Sequence, residues 1–395
     1  MFLRDESSAS AAGLTDAPQG LRVERIADTA SFLGLRATWN LLAHEAGIHH
    51  PFARHEWVRT WWECFGRGRE LRVLLVKDGP EPIALAPLML SEGRMCGIRV
   101  RQLEQLANLH TPQLDFLVSR WPQEACRAVW AHLAEQDDWD VLQLRDLPEG
   151  SGTLEHLPPL AVADGFLAGS RPSRGCPTVP LVGGWDAYFR GLRPKHRSNL
   201  RNRFRRLSRL GAVDRELAAP DDPSALDDAL RIEAEGWQGR GGDAILLHPE
   251  AERFYRKLAA EAADRGWLRL HFLRVGGRRI AFQYTFEYGN RIYVLTRGHH
   301  PAFATYSPQN LLCCLVIEDG FARCLASYEF LGPREPWKME WAPEVRRLER
   351  LVLIRASLRG RLLHRINFRL LPRLQKERLY VLLRDLVLRG RRQAE

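Results

Sequence analysis

The chain has 395 residues, too many for one small core, and its 45% hydrophobic and 27% charged residues are the balance of a soluble globular protein with two domains or a duplicated one. No apolar run reaches the roughly 18 residues of a membrane-spanning helix, and seven scattered cysteines without CxxC spacing fit a reducing cytoplasm and argue against a disulfide framework or a zinc ribbon. The net charge of +10 resides in the last stretch: residues 344–395 hold fourteen Arg and one Lys against five acids, so 1–343 is formally neutral and a DNA-binding or general nucleic-acid role is disfavoured.

Residues 1–20 carry Asp5 and Glu6 and no apolar core, and read as a disordered lead-in, not a signal peptide. A first lobe is expected over 21–150. It begins with a strand at 21–26 and helical spacing over 28–46 and 55–65. LRVLLVKDG and EPIALAPLMLS form a hairpin around Gly79-Pro80, and a helix at 121–136 and a strand at 139–147 follow. Residues 151–176, rich in Pro, Gly and Ser, are expected to be a linker.

A second lobe is expected over 177–343. A helix starts near Trp185, and the basic stretch 192–211 follows, with eight Lys or Arg and no acid. Its Leu200, Phe204, Leu207 and Leu210 recur on one helical face. Helices at 222–238 and 249–264 precede three strands, 267–275, 278–288 and 291–298, joined at Gly276-Gly277 and Gly289-Asn290, which suit tight hairpins. A helix over 307–321 starts with Ser307 as a good N-cap and Pro308 in the first turn. A strand at 327–332 closes the lobe. Both lobes share the order helices, antiparallel strands, helix, strand, without a residue-level repeat. Residues 344–395 are expected to form a basic, amphipathic, helical tail, with Leu348, Leu351, Val352, Leu358, Leu379, Leu382, Leu383 and Leu386 between arginines and breaks at Gly360 and Pro372.

Four pieces, in order, carry a family resemblance: FARHEWVRTWWECF with LRVLLVKDGPEPIALAPLML; the basic stretch 192–211; EAEGWQGRGGDAI (233–245); and HHPAFATYSPQNLL with EFLGPREPWKMEW. Together they resemble the CelD/BcsL family of GNAT-like acyltransferases, related to the FemABX peptidyltransferases, over about residues 20–342. The resemblance implies an α/β fold of two tandem GNAT-like lobes with mixed, largely antiparallel sheets. It also implies acyl transfer at the C-terminal lobe from acyl-CoA, most simply acetyl-CoA, to an amine of a sugar or cell-envelope precursor. Gln238, Gln309, His299-His300 and Arg334 depart from the family pattern.

In that reading the strand 291–298 would offer Leu295, Thr296 and Arg297 to the donor. The helix start at Ser307, Gln309, Asn310 and Leu311 would receive its pyrophosphate on free amides; the plain alternative is an ordinary capped helix. Glu233 would be the general base, Tyr306 the general acid, and Lys338 a phosphate ligand or carbonyl polariser. Each has a plain alternative as a surface acid, a packed ring and a solvated lysine. Trp237 shares a helix face with Glu233, and Arg240 would clamp an anion. Gln283 and Tyr284 point to opposite faces of one strand, with Gln283 assigned to the substrate. His299 joins the substrate side. Lys195, Arg197 and Arg201 would hold an anionic substrate group, or be a solvated helix face. No metal site is expected, because adjacent histidines diverge and Cys313-Cys314 lie in an apolar helix.

The acceptor is expected to be a small-molecule or lipid-linked sugar. The protein is expected in the cytoplasm, with peripheral contact at the inner face of the membrane through 344–395. Two rivals stand beside this reading: a FemABX-like enzyme using aminoacyl-tRNA, and a non-catalytic scaffold that kept the fold.

Overall fold

The computed structural model describes residues 20–219, 222–236, 239 and 241–372. The lead-in other than Gly20, the sites Trp237, Gln238 and Arg240, and the tail beyond Pro372 with Leu379, Leu382, Leu383 and Leu386 lie outside the described residues.

The first half runs β1 (Leu21–Ile26), α1 (Thr29–Gly34), α2 (Arg36–Glu45), α3 (His55–Phe65), β2 (Glu70–Asp78), β3 (Glu81–Met95), β4 (Ile98–Gln105), β5 (Leu117–Val118), α4 (Pro122–Ala134), β6 (Val141–Pro148), α5 (Gly152–Ala163) and β7 (Leu167–Pro180). The second runs α6 (Trp185–Gly191), α7 (Pro194–Leu207), β8 (Val213–Leu217), α8 (Pro223–Glu235), α9 (Pro249–Asp264), β9 (Leu268–Val275), β10 (Arg278–Tyr288), β11 (Arg291–His299), α10 (Pro308–Ala322), β12 (Ser327–Glu329), β13 (Glu344–Ile354) and α11 (Leu358–Arg365).

Among the described residues the strands form one 13-stranded sheet in the order β1-β2-β3-β4-β6-β13-β7-β12-β11-β10-β9-β8, with β5 on the side of β3. The order reads as two copies of one pattern about its centre. In each copy a chain of antiparallel strands ends in a parallel pair, β4 with β6 and β11 with β12. The last strand of each copy is exchanged: β13, from the end of the chain, lies beside β6, and β7 lies beside β12. β7 and β13 then pair with each other from Leu167↔Ile354 to Thr178↔Glu344.

This exchange corrects two expectations. The stretch 151–176 forms helix α5 and most of a central strand. Residues 344–354 are a strand, not the start of a helical tail; the run Leu351 to Ile354 is buried on both faces of the sheet. A short, fully buried strand and a helix segment share this apolar density, so spacing alone does not separate them. Helical structure in this region begins at Leu358.

The halves also share a local signature. Trp121-Pro122-Gln123 opens α4 and Ser307-Pro308-Gln309 opens α10, and Trp121 and Ser307 both take left-handed backbone at φ 48°. A proline at the first helical position has no N–H to lose there.

Helices α2, α3, α8 and α9 cover one face of the sheet with a core common to both halves. Trp57 of α3 packs edge-on against Phe254 of α9 and Phe286 of β10, with ring centroids 5.6 and 5.9 Å away. Fully burying aromatic rings of this size stabilises by about 2–3 kcal/mol each, so the halves are joined by packing as well as by strands. The opposite face is covered by α4 and α5 over the first half and by α6, α7 and α10 over the second. Leu200 and Leu207 are the buried side of α7, while Leu210 is exposed beyond its end. Among the described residues no helix is long and apolar enough to cross a membrane.

Candidate functional site

β11 and β12 pair over three residues only, Arg291–Tyr293 with Ser327–Glu329. Beyond Tyr293 the strands part. The gap is a cavity of about 160 Å³ whose walls include Val294, Leu295, Thr296, Arg297, Leu331 and Lys338. On its other side β11 is bulged: the register with β10 steps from Thr285↔Val294 to Tyr284↔Thr296 and passes over Leu295. A bulge bends the strand, and a parted strand edge presents backbone donors and acceptors to an extended ligand in place of a neighbouring strand. The three residues assigned to the donor from sequence, Leu295, Thr296 and Arg297, therefore lie together on one wall.

Helix α8 brings Glu233 to this wall. The approach depends on Gly298, where a Cβ would fall 3.1 Å from the Glu233 Cα and 2.7 Å from the Phe282 ring. The carboxyl is 3% exposed. It accepts from the Ile245 N–H at 2.9 Å and from the Thr296 hydroxyl at 3.4 Å. Burial pushes it up to about 7, against the opposing pull of those two hydrogen bonds. A carboxyl in that range exchanges a proton near neutral pH.

The opposite rim is held by Lys338, whose ammonium donates to the Leu331 and Pro333 carbonyls at 2.9 and 3.1 Å and lies 3.0 Å from the Glu335 carboxylate. These partners match the three donors of an ammonium. Lys338 therefore fixes the rim and has no donor left for a substrate carbonyl, which corrects the catalytic assignment to a positioning one. Sequence reading named Arg297 but gave Glu335 and Trp337 no role. Arg297 stacks on Trp337, with the guanidinium carbon 4.0 Å from the ring centroid, and faces Glu335 at 3.4 Å, so the two walls meet through side chains.

The start of α10 departs from expectation. Ser307 makes no side-chain cap. The N–H groups of Asn310 and Leu311 both donate to the Ser307 carbonyl, at 3.0 and 3.4 Å, so neither is free for a phosphate. The Asn310 side chain accepts from the Trp341 indole at 3.1 Å, and Leu311 is core. The Gln309 side chain is taken up within the fold. Its amide turns back and donates to the Phe282 carbonyl at 2.9 Å and to that of Gly298, which ties α10 to β10 and β11.

Other assigned residues lie apart from the gap. Tyr306 does not line it; its ring lies 5.2 Å from the Arg206 guanidinium. Gln283 is fully buried, accepting from Tyr328 at 3.0 Å and donating to the Cys313 sulfur at 3.1 Å, so it belongs to a core network and not to a substrate surface. Lys195 and Arg201 are exposed on α7, Arg197 is half-buried, and Arg201 lies over Phe189; none of them lines the gap. His299 ends β11, opposite Ala281. Among the described residues no group of three or more His, Cys, Asp or Glu side chains could hold a metal ion. All seven cysteines are free thiols.

The equivalent gap in the first half is closed. β4 and β6 pair over Gln102–Glu104 and Val141–Gln143, and Gln105 then bridges them. Its amide donates to the carbonyls of Leu114 and Arg145 at 2.6 and 3.0 Å, and its oxygen accepts from the Arg145 N–H at 2.8 Å. A cavity of about 70 Å³ remains. By register Gln105 corresponds to Val294 of β11, and Arg145 to Leu331.

A second cavity, of about 330 Å³, lies where the halves meet and shares Leu331 with the open gap. His50, Phe52 and Tyr293 line one side and Arg346 and Arg347 another. His50 stacks on Phe52 with ring centroids 5.2 Å apart, and burial drives its imidazole down to about 3. Arg346 is ion-paired with the fully buried Glu329.

Comparison with known proteins agrees with this geometry. Residues 194–339 match the family model described as "Acetyltransferase (GNAT) domain", a span that contains Glu233, the gap and its rim. No curated protein sequence matches the chain. Among solved structures, FemX is similar at a TM-score of 0.55 and 13% identity, covering 82% of this chain and 98% of FemX. L-PGS from Bacillus licheniformis is similar at 0.50 and 14%, covering 83% and 95%. At such identities the likeness is one of fold: two GNAT-like halves in tandem. The domain match supports acyl transfer as the class of reaction.

Proposed function

We propose that this GNAT-fold protein moves an acyl group, in the simplest case acetyl, from acyl-CoA lying between β11 and β12 to an amine. The parted strand pair with a buried carboxyl titrating near neutrality beside it carries this reading. The bulged β11 edge receives the extended donor. Glu233 removes a proton from the acceptor ammonium or from the attacking amine. The nitrogen adds to the thioester carbonyl, the C–N bond forms, the C–S bond breaks, and the thiolate leaves. A thiol with a pKa of about 8.5 leaves without a dedicated acid and takes its proton from water, so Tyr306 is not required for the step.

The acceptor enters through the cavity between the halves. A stacked ring wall and two arginines suit a sugar that carries a phosphate or carboxylate, in keeping with an amino sugar or another cell-envelope precursor. The rim formed by Lys338, Glu335 and Trp337 ties the two walls of the gap together through Arg297.

Thermal shift of the full chain against acetyl-CoA, longer acyl-CoAs and free CoA tests the donor. Ligand at a hundredfold excess over its Kd stabilises by about 2.7 kcal/mol, a visible rise in Tm. Absence of any shift would remove CoA as the donor and move the test to aminoacyl-tRNA.

A further inference from the structure

We propose that the outward face of α11 and the turn after it is a docking surface for an anionic lipid bilayer. This segment is pinned from within. Gly360, Leu363 and Asn367 are buried, and Arg171 of β7 donates to the Asn367 backbone and side-chain oxygens at 2.9 and 2.8 Å. Phe368 lies over Gly169, where a Cβ would fall 2.5 Å from the ring, and the Arg171 guanidinium lies 5.5 Å from the same ring. His364 bonds the Ala168 carbonyl at 3.1 Å. The apolar side that a surface helix needs is thus already satisfied by the sheet.

A second apolar side faces outward. Leu358 is 89% exposed, and Leu362, one turn on, and Leu370 are each 50% exposed. Between them stand Arg359, Arg361, Arg365 and Arg369, all exposed, and residues 355–372 contain five arginines and no acid. Arg359 also borders an open groove of about 590 Å³, lined besides by Arg94, Arg99 and Arg101 of the β3–β4 hairpin, with Glu92 and Asp140 as its acids. The patch therefore combines aliphatic side chains pointing away from the protein with a local excess of positive charge.

Each half of that combination excludes a different partner. A nucleic-acid surface would use aromatic or planar groups to stack bases, and leucines on show serve no purpose there. A plain protein interface centres on aromatic anchors, whereas the large apolar side chains exposed here are leucines, with no aromatic among them. Leucines that enter the acyl boundary, with arginines at the level of lipid phosphates, match an interfacial helix. The surface is short and anchored, so it lies on a membrane and does not cross it.

Co-sedimentation of the full chain with vesicles tests the proposal. One set is phosphatidylcholine alone; the other is phosphatidylcholine and phosphatidylglycerol in equal parts. The expected result is pelleting with the mixed vesicles only, weakened by added salt. Leu358→Ser with Leu362→Ser should lower the bound fraction about tenfold or more, since two buried leucines leave the acyl boundary. Arg359→Gln with Arg361→Gln should lower it as well. All four positions are exposed, and equal Tm values confirm that the variants fold. No pelleting of the wild-type chain overturns the proposal. So does unchanged pelleting of the leucine variant, which would assign binding to charge elsewhere in the chain. Loss in the arginine variant alone, with RNA competing against vesicles, would instead make the surface a polyanion site and equally overturn it. Lipid binding is read without turnover, so the result is independent of the acyltransferase reading.

Discussion

The Glu233 carboxyl lies 3.4 Å from the hydroxyl of Thr296, which ties this buried acid to the strand that leaves its parallel neighbour. In the proposed reaction this contact would put a proton acceptor at the edge along which the donor's carbonyl lies. It also puts the acid in a buried setting that raises it to about 7.

The pH dependence of turnover should follow that value. The proposed reaction uses Glu233 as a base in its ionised form, so on that reading kcat/KM should rise with pH through about 7 and then level off. Glu233→Gln keeps the size of the side chain and removes the base. It should flatten the profile and lower kcat by about 10²–10⁴. A profile of unchanged shape in the variant would take the role from Glu233.

Stability should respond with the opposite sign. An acid raised on folding costs nothing while both states are protonated, below its ordinary value of 4.5. Between 4.5 and about 7 the unfolded chain ionises while the folded one does not, so stability falls as pH rises. Above that range the loss is complete, on the order of 3 kcal/mol. Glu233→Gln should therefore be more stable than the natural chain at about pH 8 and lose most of that advantage toward about pH 5, read from urea midpoints. An equal difference at both pH values would contradict a raised carboxyl.

Lys338→Met leaves the Leu331 and Pro333 carbonyls and Glu335 without their shared cation. We expect a loss of about 3 kcal/mol on unfolding in urea. The KM for the donor should rise, because the rim that sets the gap loosens. The pH profile should keep its shape, since Lys338 does not move the proton. Lys338→Arg should not rescue, because a planar fork cannot converge on these three acceptors.

The closed and open gaps make a paired test. Gln105→Ala removes three hydrogen bonds in the first half and should cost about 2–3 kcal/mol of stability, with donor affinity unchanged. Val294→Gln introduces the same side chain at the matching place in the second half. It should reach the Leu331 backbone, close the gap and abolish the thermal shift with acyl-CoA while the chain still folds. Retained donor binding in Val294→Gln would place the donor elsewhere.

Much of this arrangement was legible in the sequence. The three strands β9 to β11 announced themselves through alternation and through turns at Gly276-Gly277 and Gly289-Asn290, all four of which have positive φ. Glu233 and Leu295, Thr296 and Arg297 could be named because four spaced pieces resemble a family; helix and strand periods only placed them on their elements. The exchanged strands were not legible. β7 contains Pro172, Pro177, Gly169 and Gly175, the composition of a linker, and β13 carries leucines at spacings that also suit a helix. The internal repeat is written in backbone angles at Trp121 and Ser307 more than in residue types. The role of Lys338 was hidden for another reason. Its partners are mostly main-chain carbonyls, which leave no mark on the identity of neighbouring residues. Gln283 was misassigned because alternation separates two faces without saying which one is solvent.

The exchange of β7 and β13 also orders events in time. β6 ends at Pro148, yet the strand beside it is drawn from Glu344–Ile354, close to two hundred residues later. On a ribosome that adds residues one by one, the first half emerges with an open sheet edge and must wait for nearly all of the chain before that edge is filled. Long-range pairing of this kind slows folding and leaves unpaired strands exposed to other chains. The protein is thus one cooperative unit whose early half needs protection during synthesis, and a cell making it in haste would be expected to meet aggregates of nascent chains before it met inactive enzyme.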